Sequence, residues 1–264
     1  MLLAKFTAAQ SLRVRFQALT GKSLAALRNY TNLRRLDLVV DDLDDHYDKL
    51  LVKAVFTLTH LEKLKLDVGP LGDSSLSAFA WAGLANLQQL ELRVSFKAPH
   101  SCYDCLLGLP ALDDLCLHHG CPTAQTLQDL TRITRLQMFL SSSTAADSGF
   151  LSALQSLTGL QSLQLDGQPA QVAVESLTAL TGLTALDYWP DPYRFGFVVS
   201  TCPIHALSGF CCLSNLQKLQ IAVVDNGTLV SAHLMDDNVD TYQPSVDVFD
   251  LHVSISFSLW SMTI

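Results

Sequence analysis

The chain has 264 residues, 49% hydrophobic and 16% charged, and its 17 basic and 25 acidic side chains leave a formal net charge of −8. So much apolar material excludes a largely disordered chain, and the acidic balance disfavours a broad phosphate-binding surface, so nucleic acid is not an expected partner. No run of eighteen apolar residues occurs, and Met1-Leu2-Leu3-Ala4 is broken at Lys5, so neither a membrane span nor an export signal is expected. The expected location is intracellular, most simply cytoplasmic.

From residue 9 onward one phrase recurs. Its clearest copy is Leu157-Thr-Gly-Leu160-Gln-Ser-Leu163-Gln-Leu165. Apolar steps of three that change to a step of two describe a coil turning into a short strand. In chain order the paired strand positions are Leu12/Val14, Leu36/Leu38, Leu64/Leu66, Leu90/Leu92, Leu115/Leu117, Leu136/Met138, Leu163/Leu165, Leu186/Tyr188 and Leu219/Ile221. Their spacings of 24, 28, 26, 25, 21, 27, 23 and 33 residues describe a repeat of one strand plus one return. Among the returns, residues 42–57 carry Leu43, Tyr47, Leu50, Leu51, Ala54 and Val55 at helical spacing behind an acidic start, which predicts an amphipathic helix. Residues 75–82, 125–130 and 170–177 predict shorter, less regular returns. The first unit begins almost at Met1 without a polar cap, which predicts a fragment or an end covered by a partner.

After Ile221 the phrase stops. Residues 225–245 are polar and turn-rich, and residues 246–259 alternate as one or two strands with a single apolar face. The expected division is a solenoid over residues 1–225 and a polar loop with a β-rich cap or tail over residues 226–264.

Nine successive units, eight of them carrying the upstream part of the Leu-x-x-Leu-x-x-Leu-x-Leu phrase, resemble leucine-rich-repeat proteins over roughly residues 9–225. The resemblance implies an α/β horseshoe: a parallel concave sheet of about nine short strands, with helical or irregular returns on the convex side. The family's asparagine three residues after the last leucine is replaced by Gln17, Asp41, Gly69, Ser95, Gly120, Ser141, Gln168, Asp191 and Val224, so uneven curvature is expected. By resemblance the function is non-catalytic protein binding, as scaffold or recognition subunit. Ubiquitin-ligase adaptors, cytoskeletal or axonemal assemblies, and recognition ectodomains or immune-type sensors are the alternative settings.

Residues flanking the strand leucines point away from the core. The candidate partner-binding set is Arg13, Arg15, Arg35, Lys63, Lys65, Glu91, Arg93, His118, Arg135, Phe139, Asp166, Asp187 and Trp189. The early units lean basic, while Phe139 and Trp189 are large aromatics of the kind that anchor interfaces. The plainer reading is a solvated face on which the aromatics pack against neighbouring side chains.

Other chemistry finds little support. The seven cysteines, Cys102, Cys105, Cys116, Cys121, Cys202, Cys211 and Cys212, are odd in number and sit in apolar context, which suits reduced thiols. With His118 and His119, the first four outline a zinc cluster. However, Cys102 and Cys105 belong on the outer return and Cys116 with His118 on the concave side, with the core between them. No metal is expected there. Gly21-Lys22-Ser23 lacks the leading glycine of a phosphate loop, because Phe16 stands in its place. The acidic run 41–48 lacks the glycine and terminal glutamate of a calcium loop. No Gly-x-Ser-x-Gly or His-Glu-x-x-His occurs, so no catalytic site and no cofactor are expected. The sequons Asn29-Tyr30-Thr31 and Asn226-Gly227-Thr228 would matter only after secretion.

Overall fold

The computed structural model describes residues 8–42, 45–68, 81–94, 100–118, 120–140, 148–167, 177, 179–189, 213–225 and 228–234. Every paired leucine position lies on a strand. These are β1 Ser11–Ala18, β2 Arg35–Asp42, β3 Lys63–Val68, β4 Gln89–Val94, β5 Asp114–Leu117, β6 Arg135–Leu140, β7 Ser162–Gly167, β8 Ala185–Trp189 and β9 Lys218–Asp225, followed by β10 Thr228–Leu234. They form one open sheet in sequence order, β1 to β9 parallel and β10 antiparallel to β9. The leucine-rich-repeat solenoid implied by the phrase is the fold observed.

Strand alternation explains the layering. Along β3, Leu64, Leu66 and Val68 are buried while Lys63, Lys65 and Asp67 are only partly covered. Parallel pairing without register slip then stacks like on like. Leu36 stands opposite Leu64, Leu64 opposite Leu90, Leu90 opposite Leu115, and so on through Leu136, Leu163 and Leu186 to Leu219. A single unit could not bury its leucines, whereas the stack makes a continuous core from one row to the next.

The Leu-x-x-Leu steps form tight turns. In each, the later residue donates its N–H to the carbonyl three positions earlier, as Leu61 does to Leu58, Leu160 to Leu157 and Leu183 to Leu180, at 2.9–3.0 Å. A second ladder joins the units. The carbonyl just before each strand accepts two N–H groups from the next unit, as Thr134 O does from Gln161 and Ser162 at 2.8 and 3.0 Å. The same bifurcated contact recurs from Gln10 O at β1 to Thr184 O at the β8–β9 junction. Side chains add a third link: Asn86 Nδ2 donates to Thr59 O at 3.1 Å, Asn215 Nδ2 to Thr181 O at 2.9 Å, and His60 Nδ1 lies 3.0 Å from Thr31 O. Thus, among the described residues, polar links between units occur at the turn between the first two leucines.

The returns form the convex layer. They comprise α1 Gly21–Leu27, α2 Asp45–Phe56, α3 Ala124–Asp129 and α4 Ser148–Gln155, with 3-10 turns at Trp81–Leu84 and His100–Gly108. Thr20 caps α1 through a reciprocal pair with Ser23. The expected helix over 42–57 is α2, and it buries Leu51, Val52, Ala54 and Val55. The return expected over 125–130 is α3; those over 75–82 and 170–177 lie outside the described residues except for Trp81, Ala82 and Leu177. Gly120 follows β5 with φ 111°, where a Cβ would collide with Oη of the buried Tyr103, so this position requires glycine.

The stretch 225–245 contains a strand where a polar loop was expected. Thr228–Leu234 pairs with Leu219–Asp225 across the two residues Asn226-Gly227, and so supplies ladder partners to an edge of β9 that would otherwise be open. Residues 246–259 lie outside the described residues.

Leu163 is fully buried, while Gln164 beside it faces the opposite side. Leu163→Ala should therefore cost about 3 kcal/mol in urea unfolding and Gln164→Ala no more than about 0.5 kcal/mol. Equal effects would contradict the alternation.

Candidate functional site

The concave side carries three columns of side chains fixed by the register. Arg35 stands opposite Lys63 in the first, Lys65 opposite Glu91 and Glu91 opposite Cys116 in the second, and Asp67 opposite Arg93 in the third. Over β1–β6 the columns line an open groove of about 930 Å3, whose floor includes Arg13, Arg35, Lys63, Lys65, Arg93, Asp37, Glu91, Asp114, Cys116, His118, Gln137 and Phe139. Five cations meet three carboxylates in that lining, although the whole chain is acidic.

Most of the charge is spent between strands. Arg13 Nε lies 2.6 Å from Asp37 Oδ2, Arg15 holds Asp41 through two nitrogens at 2.7–3.0 Å, and Arg135 Nη1 lies 3.7 Å from Asp114 Oδ2. Hydrogen bonds from Arg15 keep the Asp41 carboxyl below its ordinary range. Burial pushes the Asp114 carboxyl up in spite of Arg135. Such exposed pairs contribute little to stability individually, but they hold side-chain positions. Arg35 and Lys63 differ, since neither forms an ion pair with a described residue.

The densest contacts centre on Glu91. Its Oε1 lies 2.8 Å from Lys65 Nζ, 3.1 Å from Arg93 Nε and 3.1 Å from His118 Nε2. Burial alone would raise the Glu91 carboxyl, but the hydrogen bonds from Lys65, His118 and Arg93 outweigh it and hold the group below its ordinary value. The same His118 nitrogen lies 3.4 Å from Cys116 Sγ, and the thiol donates to Gln137 Oε1 at 3.4 Å. The His118 ring is stacked on Phe139, with centroids 4.3 Å apart and planes 15° apart. Phe139 is therefore partly engaged in the way the plainer reading anticipates.

This trio does not make a nucleophile. In a thiol–imidazole–carboxylate relay, thiol and carboxylate contact different ring nitrogens; here both face Nε2. Burial, with the Glu91 charge second, pushes the Cys116 thiol up to about 12, so it is protonated at neutral pH.

The remaining candidates fall further along the sheet. Asp166 accepts from Gln164 Nε2 at 3.0 Å, Asp187 stands opposite Gln164, and Trp189 stands opposite Asp166 by backbone register. The Trp189 side chain lies outside the described residues, as do Cys102 by its side chain and His119, Cys202, Cys211 and Cys212 entirely. The outlined zinc cluster is divided: Cys105 belongs to the convex 3-10 turn, while Cys116 and His118 face the groove. Sequence proximity concealed Glu91 as their neighbour, 25 residues before Cys116. The strand register would have revealed it, because one unit earlier in the chain is one strand away in space.

No described helix is long and apolar enough to cross a membrane. No protein-family model matches the chain, and neither does any curated protein. Solved structures do match. Internalin C2 from Listeria monocytogenes is 18% identical with a TM-score of 0.44 over 82% of this chain and 82% of that one. An internalin, inlF, from the same organism is 20% identical with a TM-score of 0.44 over 81% of this chain and 62% of its own. A leucine-rich-repeat protein from Leptospira interrogans is 17% identical with a TM-score of 0.44 over 82% of this chain and 55% of its own. The present chain thus spans less than two thirds of the latter two. Assignment of the fold rests on the repeat and the nine-strand register.

A carboxyl depressed in the folded state adds stability that is complete above its unfolded value and is lost as pH falls through the folded one. For Glu91 that unfolded value is near 4.5. Wild type should therefore unfold at higher urea than Glu91→Gln at pH 7, and the gap should close progressively below about pH 4.5. A pH-independent gap would show that the ion cluster is not its source.

Proposed function

We propose that this leucine-rich-repeat solenoid is a non-catalytic interaction module, a scaffold or recognition subunit that holds a protein partner on its concave face. The observation that carries the reading is the contrast within each of the strands β2 to β7. Leucines on one side are sealed in the core, while the other side presents charged and polar groups in fixed columns around a groove. Such a surface is rigid before binding, so little side-chain and backbone freedom is lost on association.

Charge narrows the class of partner. Arg35 and Lys63 sit side by side at the basic end of the groove and form no ion pair with a described residue. They fit a protein segment carrying carboxylates, which would be steered there despite the net negative charge of the chain. The Phe139–His118 stack supplies the less charged contact. The protonated Cys116 thiol and the shared His118 nitrogen support binding rather than turnover.

The test is affinity capture with mass spectrometry from native lysate, comparing wild type, Arg35→Glu/Lys63→Glu, and a charge-matched convex control, Arg28→Glu/Lys53→Glu. All three should show the same circular dichroism and melting. A protein retained by wild type and the control but lost by the concave variant is the expected outcome. Equal retention by all three would move the binding surface off the basic end of the groove.

A further inference from the structure

We propose that Glu91, Cys116 and His118 form a three-ligand site for a borderline-soft divalent cation, with zinc as the best match, on the floor of the concave groove. One ligand atom from each lies within 4.8 Å of the other two. Neighbouring donors in a tetrahedral zinc site with Zn–N and Zn–O bonds near 2.0–2.1 Å and a Zn–S bond near 2.3 Å stand roughly 3.3–3.7 Å apart. The observed separations of 3.1 Å from Oε1 to Nε2 and 3.4 Å from Sγ to Nε2 are close to those edges. Thiolate, imidazole and carboxylate together select zinc or a similar transition metal over magnesium or calcium, which prefer oxygen alone.

Two features go beyond proximity. Two donors are mounted on paired strands, Glu91 on β4 opposite Cys116 on β5, and His118 lies one residue past the end of β5 with its backbone N–H donating to Leu92 O at 2.9 Å. Their backbones are therefore fixed by the sheet. The His118 imidazole is in turn held by its stack on Phe139, with Nε2 aimed at both other donors. Ligand orientation by packing of this kind is what loosely placed surface donors lack.

Binding transfers one proton from the Cys116 thiol to solvent, and the metal replaces the contacts that now run between Nε2, Oε1 and Sγ. Gln137 Oε1, which accepts from the thiol, loses that donor. The cost of thiol deprotonation in a half-buried site is offset by the charge of the ion itself. Lys65 and Arg93 oppose the cation because both contact Glu91, although Arg93 has Asp67 at 3.9 Å as a second partner. Three protein ligands leave a fourth position for water, and the groove is open to solvent on that side.

The test uses the purified full chain with cobalt as a spectroscopic probe, then zinc in competition with a chromophoric chelator. One equivalent of cobalt should give sulfur-to-cobalt charge-transfer absorption together with tetrahedral visible bands. Both should vanish in Cys116→Ser and His118→Ala, whose circular dichroism should match wild type, and both should persist in Cys105→Ser. Zinc affinity should fall at least about tenfold in Glu91→Gln, as expected for losing a group that orients or ligates the metal. Absence of the bands in wild type, their survival in Cys116→Ser, or their loss in Cys105→Ser with Cys116 intact would each overturn the site.

Discussion

The structure depends on one constraint, which is parallel pairing without slip. A shift of one residue between two strands would turn a leucine row outward and bring charged side chains into the core. The bifurcated carbonyl contacts before each strand guard against it. Each fixes where the next strand begins, with the same two N–H groups meeting the same carbonyl from β1 to β9. The leucine row and the ladder are therefore mutually dependent, since one sets which face is buried and the other sets the phase.

The same constraint produces the groove. Because the leucine row is locked, the residues between leucines are locked too, and side chains about 25 positions apart in the chain become direct neighbours. Lys65, Glu91 and Cys116 are brought into one column in this way. The cross-strand ion pairs do not hold the solenoid together, because exposed pairs contribute little. Their effect is local: they satisfy most of the groove's charge, whereas Arg35 and Lys63 form no ion pair with a described residue.

Much of this could be read in the amino-acid chain. The paired leucines located all nine parallel strands, and helical spacing located α2. The column membership of Arg13, Arg35, Lys63, Lys65, Glu91, Arg93 and Phe139 followed from strand alternation alone. What is not legible depends on contacts outside the leucine phrase. The Thr20–Ser23 cap is hard to see in the chain because Ser stands at the third helical position, where the usual capping-box pattern has Glu or Gln, and because it lies outside the leucine phrase. The Asn226-Gly227 pair belongs to a sequon, but the same dipeptide between two apolar runs is also a hairpin signal, and the flanking strands β9 and β10 pair antiparallel. Nearness in the chain does not show Glu91 as a neighbour of Cys116, because it lies 25 residues earlier and meets it only through strand register. Stacking the units as columns would have placed it there.

The most direct measurement is hydrogen–deuterium exchange on the purified chain, resolved to peptides covering each strand. A single register-locked core predicts slow exchange for the amides of β2 through β7, including the paired donors Glu62, Lys63, Gln161 and Ser162, with protection falling gradually toward the ends as in a one-dimensional array. A fast-exchanging unit in the middle, with protected blocks on either side, would contradict the continuous leucine row and the fixed groove built on it.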